Sequence, residues 1–187
     1  AQAAARAALR VAHRLEALSH RWEAEGAPGL KVRIGVHIAP VLVGTIGTSA
    51  RLSYTALGDG VNVAARLEGA NRELGTSICV SDAVRQAAPE LVCRPLRRLQ
   101  VKGRREPLLV HELLGVAHSD DPELKGRATT AARVSCGRAV VEALESQDEE
   151  RARTTLDAHL AADPADRAAV ALRQWLAERS TAPANSS

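Results

Sequence analysis

The chain has 187 residues, a net charge of +3 and 45% hydrophobic residues, which suits one folded domain with an appendage or two small domains. Aromatic residues make up only 2%, so stacking on exposed bases, the usual device of single-strand nucleic-acid binding, is almost excluded. The longest apolar runs are far shorter than a membrane span, and three cysteines without a C-x-x-C spacing favour a reducing, cytoplasmic setting over a zinc site.

The N-terminal part predicts one helix followed by three strands. Apolar residues spaced at three to four positions predict an amphipathic helix over residues 1–25, which ends at Gly26. Short apolar runs then predict strands over residues 31–37, 41–46 and 52–57. His37 closes the first of these strands with no nucleophile beside it, so a structural role is favoured. Because the chain contains no Met and begins within a helical pattern, we expect it to be part of a longer protein.

The stretch over residues 54–68, YTALGDGVNVAARLE, carries the most specific pattern in the chain. It predicts a strand that ends at a glycine-rich turn and a helix over residues 61–74, with Asp59 favoured as its N-cap. Asn62 and Arg66 are four residues apart and therefore share one face of that helix. An amide beside a planar, permanently charged guanidinium could orient a nucleotide and neutralise charge that develops during phosphoryl chemistry.

The next segment predicts a strand over residues 78–80, a helix over residues 83–88 and two strands within residues 91–114. Their turn lies at residues 102–105, within the most basic part of the chain. The basic residues of this part are Arg94, Arg97, Arg98, Lys102, Arg104 and Arg105. We interpret the cluster as a solvated rim, and its position on strands and a turn argues against nucleic-acid binding.

The composition changes after Gly115. Residues 116–130 are polar and predict a linker. Residues 131–144 and 149–162 predict a helical pair, and a third helix reaches to about Arg179. The pattern over residues 131–180 is similar to a tetratricopeptide-type hairpin, with docking, dimer support or a relic of a longer array as its possible roles. Residues 181–187 predict a disordered tail.

The stretch over residues 54–68 resembles the class III nucleotidyl cyclases, the adenylate and guanylate cyclase catalytic domain. Asn62 and Arg66 stand at the two polar positions of that family's V-N-x-A-x-R pattern, and the runs R-I-G-V-H and V-K-G support the match. The resemblance covers residues 1–115. It implies an α+β fold, a ferredoxin-like cyclase domain whose N-terminal strands are missing, followed here by a C-terminal α-helical hairpin.

The resemblance also implies roles for individual residues. Asn62 would contact the ribose, Arg66 would stabilise the transition state, and Lys102 would bind the triphosphate. Thr55 occupies a base-selecting position and is typical of the bacterial adenylate cyclase subgroup. ATP is therefore the expected substrate, although a hydroxyl that donates and accepts does not exclude guanine.

Partners and metals follow from the same resemblance. The family forms its active sites across a head-to-tail dimer, so a homodimer or a heterodimer with another cyclase domain is expected. Two Mg²⁺ or Mn²⁺ ions would be held by two aspartates that lie upstream, so we expect no metal ligand in this chain and no activity from it alone.

The predicted function is the conversion of ATP to 3′,5′-cyclic AMP and pyrophosphate in intracellular signalling. The setting would be cytoplasmic, although the longer protein could be anchored in a membrane. The alternative is a catalytically silent cyclase-like module that regulates a partner or supports dimerisation. The upstream aspartates would decide between the two.

Overall fold

The computed structural model describes residues 1–48, 51–101 and 106–181, and its elements form an α+β fold around a mixed sheet. The helices are α1 (Gln2–Ala24), α2 (Asp59–Leu74), α3 (Asp82–Ala87), α4 (Thr130–Glu145), α5 (Glu149–Ala162) and α6 (Arg167–Thr181). The strands are β1 (Ile34–Val36), β2 (Leu42–Thr48), β3 (Arg51–Leu57), β4 (Ile78–Ser81), β5 (Leu91–Leu99) and β6 (Leu108–Val116). The predicted α+β class is confirmed.

The main sheet has four strands in the order β1-β4-β6-β5. β1 and β4 are parallel, whereas β6 runs antiparallel to both β4 and β5. Because successive residues of a strand point to opposite faces, β4 sends Cys79 to one face and Ile78 and Val80 to the other. The sheet therefore supports one apolar core on each face.

The two cores are covered by different helices. On one face, α1 and α3 pack through small and aliphatic side chains that include Ala5, Ala8 and Val84. On the other face, α2 lies together with the C-terminal helices α4, α5 and α6 in a single buried cluster. The C-terminal helices are thus packed onto the sheet, and Leu124 in the segment before α4 is also buried.

β2 and β3 form a separate two-stranded antiparallel arm. Its register places Leu42 opposite Leu57 and Thr45 opposite Tyr54. Large apolar side chains on the arm are exposed, among them Leu42 at 80% and Tyr54 at 78%. An isolated two-stranded ribbon is marginally stable in water, so these side chains mark a surface that a further protein surface could cover.

Two histidines are hydrogen-bonded near the junction of β4 and α3. His37 Nδ1 lies 2.8 Å from Ser81 Oγ, and His111 Nε2 lies 2.8 Å from Asp82 Oδ1. Burial lowers the pKa of His111, although the Asp82 carboxylate opposes that shift.

Among the described residues, no helix is both long and apolar enough to cross a membrane.

Candidate functional site

Helix α2 presents Asn62 and Arg66 on its exposed face. The adjoining face carries Val63 and Leu67, which are fully buried against the sheet. This amphipathic arrangement follows from the helical period, since residues four apart share a face and the buried pair is offset from the polar pair by one position. The structure thus brings the amide and the guanidinium to one accessible surface.

The orientation of α2 depends on close contacts with β1. A methyl group at Gly35 would overlap with the carbonyl oxygen of Ala64, so only glycine lets the strand and the helix approach this closely. The buried Asn71 side chain donates to the Ile34 carbonyl at 3.0 Å, and the Thr76 hydroxyl donates to Asn71 Oδ1 at 2.7 Å. Gly35 and Asn71 therefore position the helix that carries the candidate site, and the sequence analysis did not assign them this role.

The first turn of α2 differs from the prediction in one respect. Gly58 is the N-cap and Asp59 is the first helical residue, so the predicted capping role of Asp59 is wrong by one position. The Asp59 charge still lies in the first turn, where it complements the positive end of the helix dipole. Gly60 packs against the Ala39 side chain and leaves no room for a larger residue.

Thr55 lies on the exposed arm, three residues before the turn into α2. Its register partner on β2 is Gly44, which has no side chain, so no side chain from the paired position covers the threonine. Thr55 is exposed, as are Asn62 and Arg66. The three predicted residues therefore lie on consecutive elements and are all accessible to solvent.

The basic cluster around β5 is only partly described. Residues 102–105, with Lys102, lie outside the described residues, so the triphosphate role of Lys102 stays a prediction. Arg98 is exposed, as a solvated rim requires, with 53% of its side chain accessible. The rim interpretation is wrong for Arg94, whose side chain is only 2% exposed. Its role is to join the sheet to the C-terminal helices.

Arg94 lies at the centre of a buried ionic network. Its Nε donates to Glu112 Oε2 at 2.9 Å, and its Nη2 donates to Asp166 Oδ1 at 3.0 Å. Burial acts to raise the pKa of Asp166, but hydrogen bonds and the charge of Arg94 prevail and lower it to about 2. Burial raises the pKa of Glu112, although Arg94 opposes that shift. A buried guanidinium with two carboxylate partners is neutralised and fully engaged.

The same network contains a group of residues that resembles a metal site. In the described part of the chain, ligand atoms of His159, Asp163 and Asp166 lie within 4.8 Å of one another. However, Asp166 is bonded to Arg94, and the Arg133 guanidinium lies 2.8 Å from Asp163 Oδ2. Two guanidinium groups already neutralise these carboxylates, so the group does not fit a divalent cation. It acts as a salt-bridge network.

Comparison with known proteins gives the candidate site a context. Residues 1–115 match the family model described as the adenylate and guanylate cyclase catalytic domain. This region contains β1, the arm and α2, and so includes Thr55, Asn62 and Arg66. The match extends over more than half of the chain.

Individual relatives agree with that match. The chain is 42% identical over 129 residues to Adenylate cyclase 1 of Rhizobium meliloti, an alignment that covers 68% of this chain and 19% of that protein. The adenylyl cyclase CyaB from P. aeruginosa superposes with a TM-score of 0.50 and 26% identity, over 57% of this chain and 55% of that one. The guanylyl cyclase Cya2 superposes with a TM-score of 0.53 and 25% identity, over 63% of this chain and 59% of that one. The chain thus spans about one fifth of the curated relative.

Proposed function

The chain belongs to the adenylate and guanylate cyclase catalytic domain family, and we propose that it supplies the substrate-orienting half of an adenylate cyclase site. The observation that carries the proposal is the exposed face of α2, where Asn62 and Arg66 lie one helical turn apart. The proposed reaction converts ATP to 3′,5′-cyclic AMP and pyrophosphate. The resemblance of Thr55 to the bacterial adenylate cyclase type, together with the name of the curated relative, supports adenine over guanine.

The proposed roles follow from the chemistry of each side chain. The Asn62 amide can donate and accept, so it would hold the ribose in the orientation needed for attack of the 3′-hydroxyl on the α-phosphate. The Arg66 guanidinium would neutralise charge that builds on the phosphate oxygens, which makes its contribution largest in the transition state. Thr55 would hydrogen-bond the base edge, and Lys102 would bind the triphosphate.

Metal chemistry would come from outside this chain. Mg²⁺ or Mn²⁺ would supply charge neutralisation and activation of the attacking hydroxyl, through carboxylates that we place in an upstream segment. The group formed by His159, Asp163 and Asp166 does not fit that task, because Arg94 and Arg133 already engage its carboxylates. We therefore propose that the 187-residue chain is inactive by itself.

A second cyclase domain is the proposed partner. The apolar arm supports this proposal, because exposed side chains such as Leu42, Leu52 and Tyr54 form a surface that water does not favour. Either a second copy or a related domain could cover it. We place the protein in the cytoplasm, since its three cysteines are unpaired thiols, as expected in a reducing compartment.

We divide the chain into a cyclase part over residues 1–115, a connecting segment over 116–130 and a tetratricopeptide-like helical part over 131–180. Residues 182–187, the larger part of the predicted disordered tail, lie outside the described residues. This division is supported by the change in composition after Gly115. The shared core of α2 with the C-terminal helices means that the two parts work as one packed unit.

Production of cyclic nucleotide tests the proposal. The longer protein, incubated with Mn²⁺ and ATP or GTP, should make cyclic AMP in excess of cyclic GMP, and the 187-residue chain should make neither. In the longer protein, Arg66→Ala should lower kcat by about a hundredfold with little change in KM, because the guanidinium acts mainly in the transition state. Arg72→Ala, an exposed arginine elsewhere on α2, is the matched control and should leave both constants unchanged.

The same assay distinguishes the enzyme from the alternative, a regulatory module without activity. If the longer protein makes no cyclic nucleotide but still binds nucleotide and dimerises, the enzyme proposal is overturned and the regulatory module is favoured. If Arg66→Ala instead raised KM without lowering kcat, the side chain would contribute ground-state binding alone.

A further inference from the structure

The C-terminal helices share a buried core with the helix that carries the candidate site. Leu67 and Leu74 of α2 belong to the same cluster as Leu172 and Leu176 of α6, and all four are at most 2% exposed. Burial of these leucines removes apolar surface from water and so stabilises the contact between the two helices. The position of α2 on the sheet therefore depends partly on α6.

The first turn of α6 is anchored to the sheet by the buried ionic network. Asp166 immediately precedes α6 and accepts from the backbone N–H groups of Ala168 and Ala169, at 3.2 and 3.3 Å. The same carboxylate pairs with Arg94 of β5. One side chain thus caps the helix and binds it to the sheet, so α6 has a single defined position over its first turn.

One direct contact and one bridging arginine link α6 to the C-terminal end of α2. Gly75 ends α2 in the left-handed conformation, at φ = +67°, and a methyl group there would overlap with the backbone carbonyl of Arg167. The Arg97 guanidinium lies 4.7 Å from the centre of the Trp175 ring, and its Nη2 is 3.4 Å from Glu73 Oε2. Trp175 of α6 and Glu73 of α2 are therefore held by one arginine of β5.

We infer that α6 is a positioning element for the Asn62–Arg66 face, through its contacts with the last turn of α2; this inference rests on the proposed function. A helix moves as a rigid rod over short distances, and Arg66 is nine residues, about 14 Å, from Gly75. A small displacement of α6 would therefore tilt or loosen the face that orients the nucleotide. Asp166, Trp175 and Gly75 are the positioning residues, and a ligand or partner that moved the C-terminal helices would change the rate of the reaction.

A pair of matched glycine substitutions tests the coupling. Gly75→Ala introduces strain at a positive φ and also pushes against Arg167, whereas Gly26→Ala introduces the same strain at φ = +80°, where no atom lies within 4 Å of the added methyl. Amide hydrogen exchange of the 187-residue chain should become several-fold faster across residues 59–74 in Gly75→Ala and also in Trp175→Leu, which alters α6 and leaves the C-cap of α2 intact, and stay unchanged there in Gly26→Ala. Faster exchange confined to residues 167–181 in Trp175→Leu would overturn the inference.

Kinetics of the longer protein provide the functional measurement. Gly75→Ala should lower kcat by about tenfold or more with KM for ATP nearly unchanged, since small misplacements of catalytic groups act mainly on the chemical step. Trp175→Leu, which keeps an apolar side chain at the contact, should lower kcat in the same way and provides the test if Gly75→Ala does not fold.

The two proposals fail separately. If the wild-type longer protein makes no cyclic nucleotide, the proposed function is wrong, while hydrogen exchange still decides whether α6 positions α2. If the variants exchange faster over α2 but turn over at the wild-type rate, the positioning role is wrong and the contact is structural only.

Discussion

Replacement of Asp166 by alanine should reveal how strongly the C-terminal helices are bound to the sheet. The carboxylate is 1% exposed and pairs with Arg94, which is 2% exposed. Removal of Asp166 takes away one of the two carboxylates of the buried Arg94, while Glu112 stays paired with it, so we expect a cost of about 3 kcal/mol, the lower end of the range for breaking a buried ion pair. Loss of an N-cap costs about 1 kcal/mol more, so we expect the free energy of unfolding to fall by about 4 kcal/mol.

The control is a second ion pair that also joins β5 to the C-terminal helices. Arg98 of β5 pairs with Glu145 of α4 at 2.8 Å, but both side chains are about half exposed. An exposed pair contributes about 1 kcal/mol or less, because solvent screens it and two flexible side chains must be ordered. Glu145→Ala should therefore change the free energy of unfolding only slightly.

Urea unfolding followed by circular dichroism measures both changes. With a slope of about 2 kcal/mol per molar urea, Asp166→Ala should lower the midpoint by about 2 M, and Glu145→Ala by less than about 0.5 M. Equal shifts for the two variants would refute the argument that the Arg94 network is closed to water. In that case the helices would be held to the sheet by apolar packing alone.

Two further predictions concern the arm and the pH dependence of stability. Tyr54→Asp places a charge on the apolar arm surface that a partner is proposed to cover, so sedimentation analysis should show loss of dimer. The control Val11→Asp, on the exposed surface of α1, should not change the association. Dimers that persist in Tyr54→Asp would contradict the proposed interface. Burial lowers the pKa of His111 below its usual value of 6.5, so below that pH the unfolded chain binds a proton that the folded chain resists. The free energy of unfolding of the wild-type chain should therefore decrease as the pH is lowered below about 6.5, and it should decrease less steeply in His111→Gln. Identical pH profiles for the two proteins would contradict this origin of the pH dependence.

The elements that depend on local pattern were predicted from the sequence. The α+β class is confirmed, and α2 ends at Gly75 as predicted, in a left-handed conformation that favours glycine. The face shared by Asn62 and Arg66 follows from helical spacing, and both residues are exposed in the structure. Strand positions were also recognised, although the predicted strand over residues 31–37 is observed only over Ile34–Val36.

The contacts between distant segments could not be predicted in the same way. Arg94 and Asp166 are 72 residues apart, and nothing in the local pattern of either residue indicates the other. On the sequence alone, Arg94 is one of several arginines, and a solvated rim is the ordinary location for such a cluster. Its burial depends on which helix covers β5, and that is a property of the tertiary fold. Gly35 was part of a recognised motif, but its close approach to α2 became evident only when the strand and the helix were placed together.

The exposure of the candidate site supports the need for a second surface. A guanidinium stabilises developing negative charge far better in a site that excludes water than in bulk solvent, because the effective dielectric constant is lower there. Arg66 and Asn62 are exposed in this chain, so by themselves they can provide little of that stabilisation. The apolar arm leads directly into α2, and a partner that covered Leu42 and Tyr54 would also bring a surface close to the first turns of the helix. Association and activity should therefore be linked: the turnover number of the longer protein should rise with protein concentration, and the arm substitution should lower it in proportion to the loss of dimer.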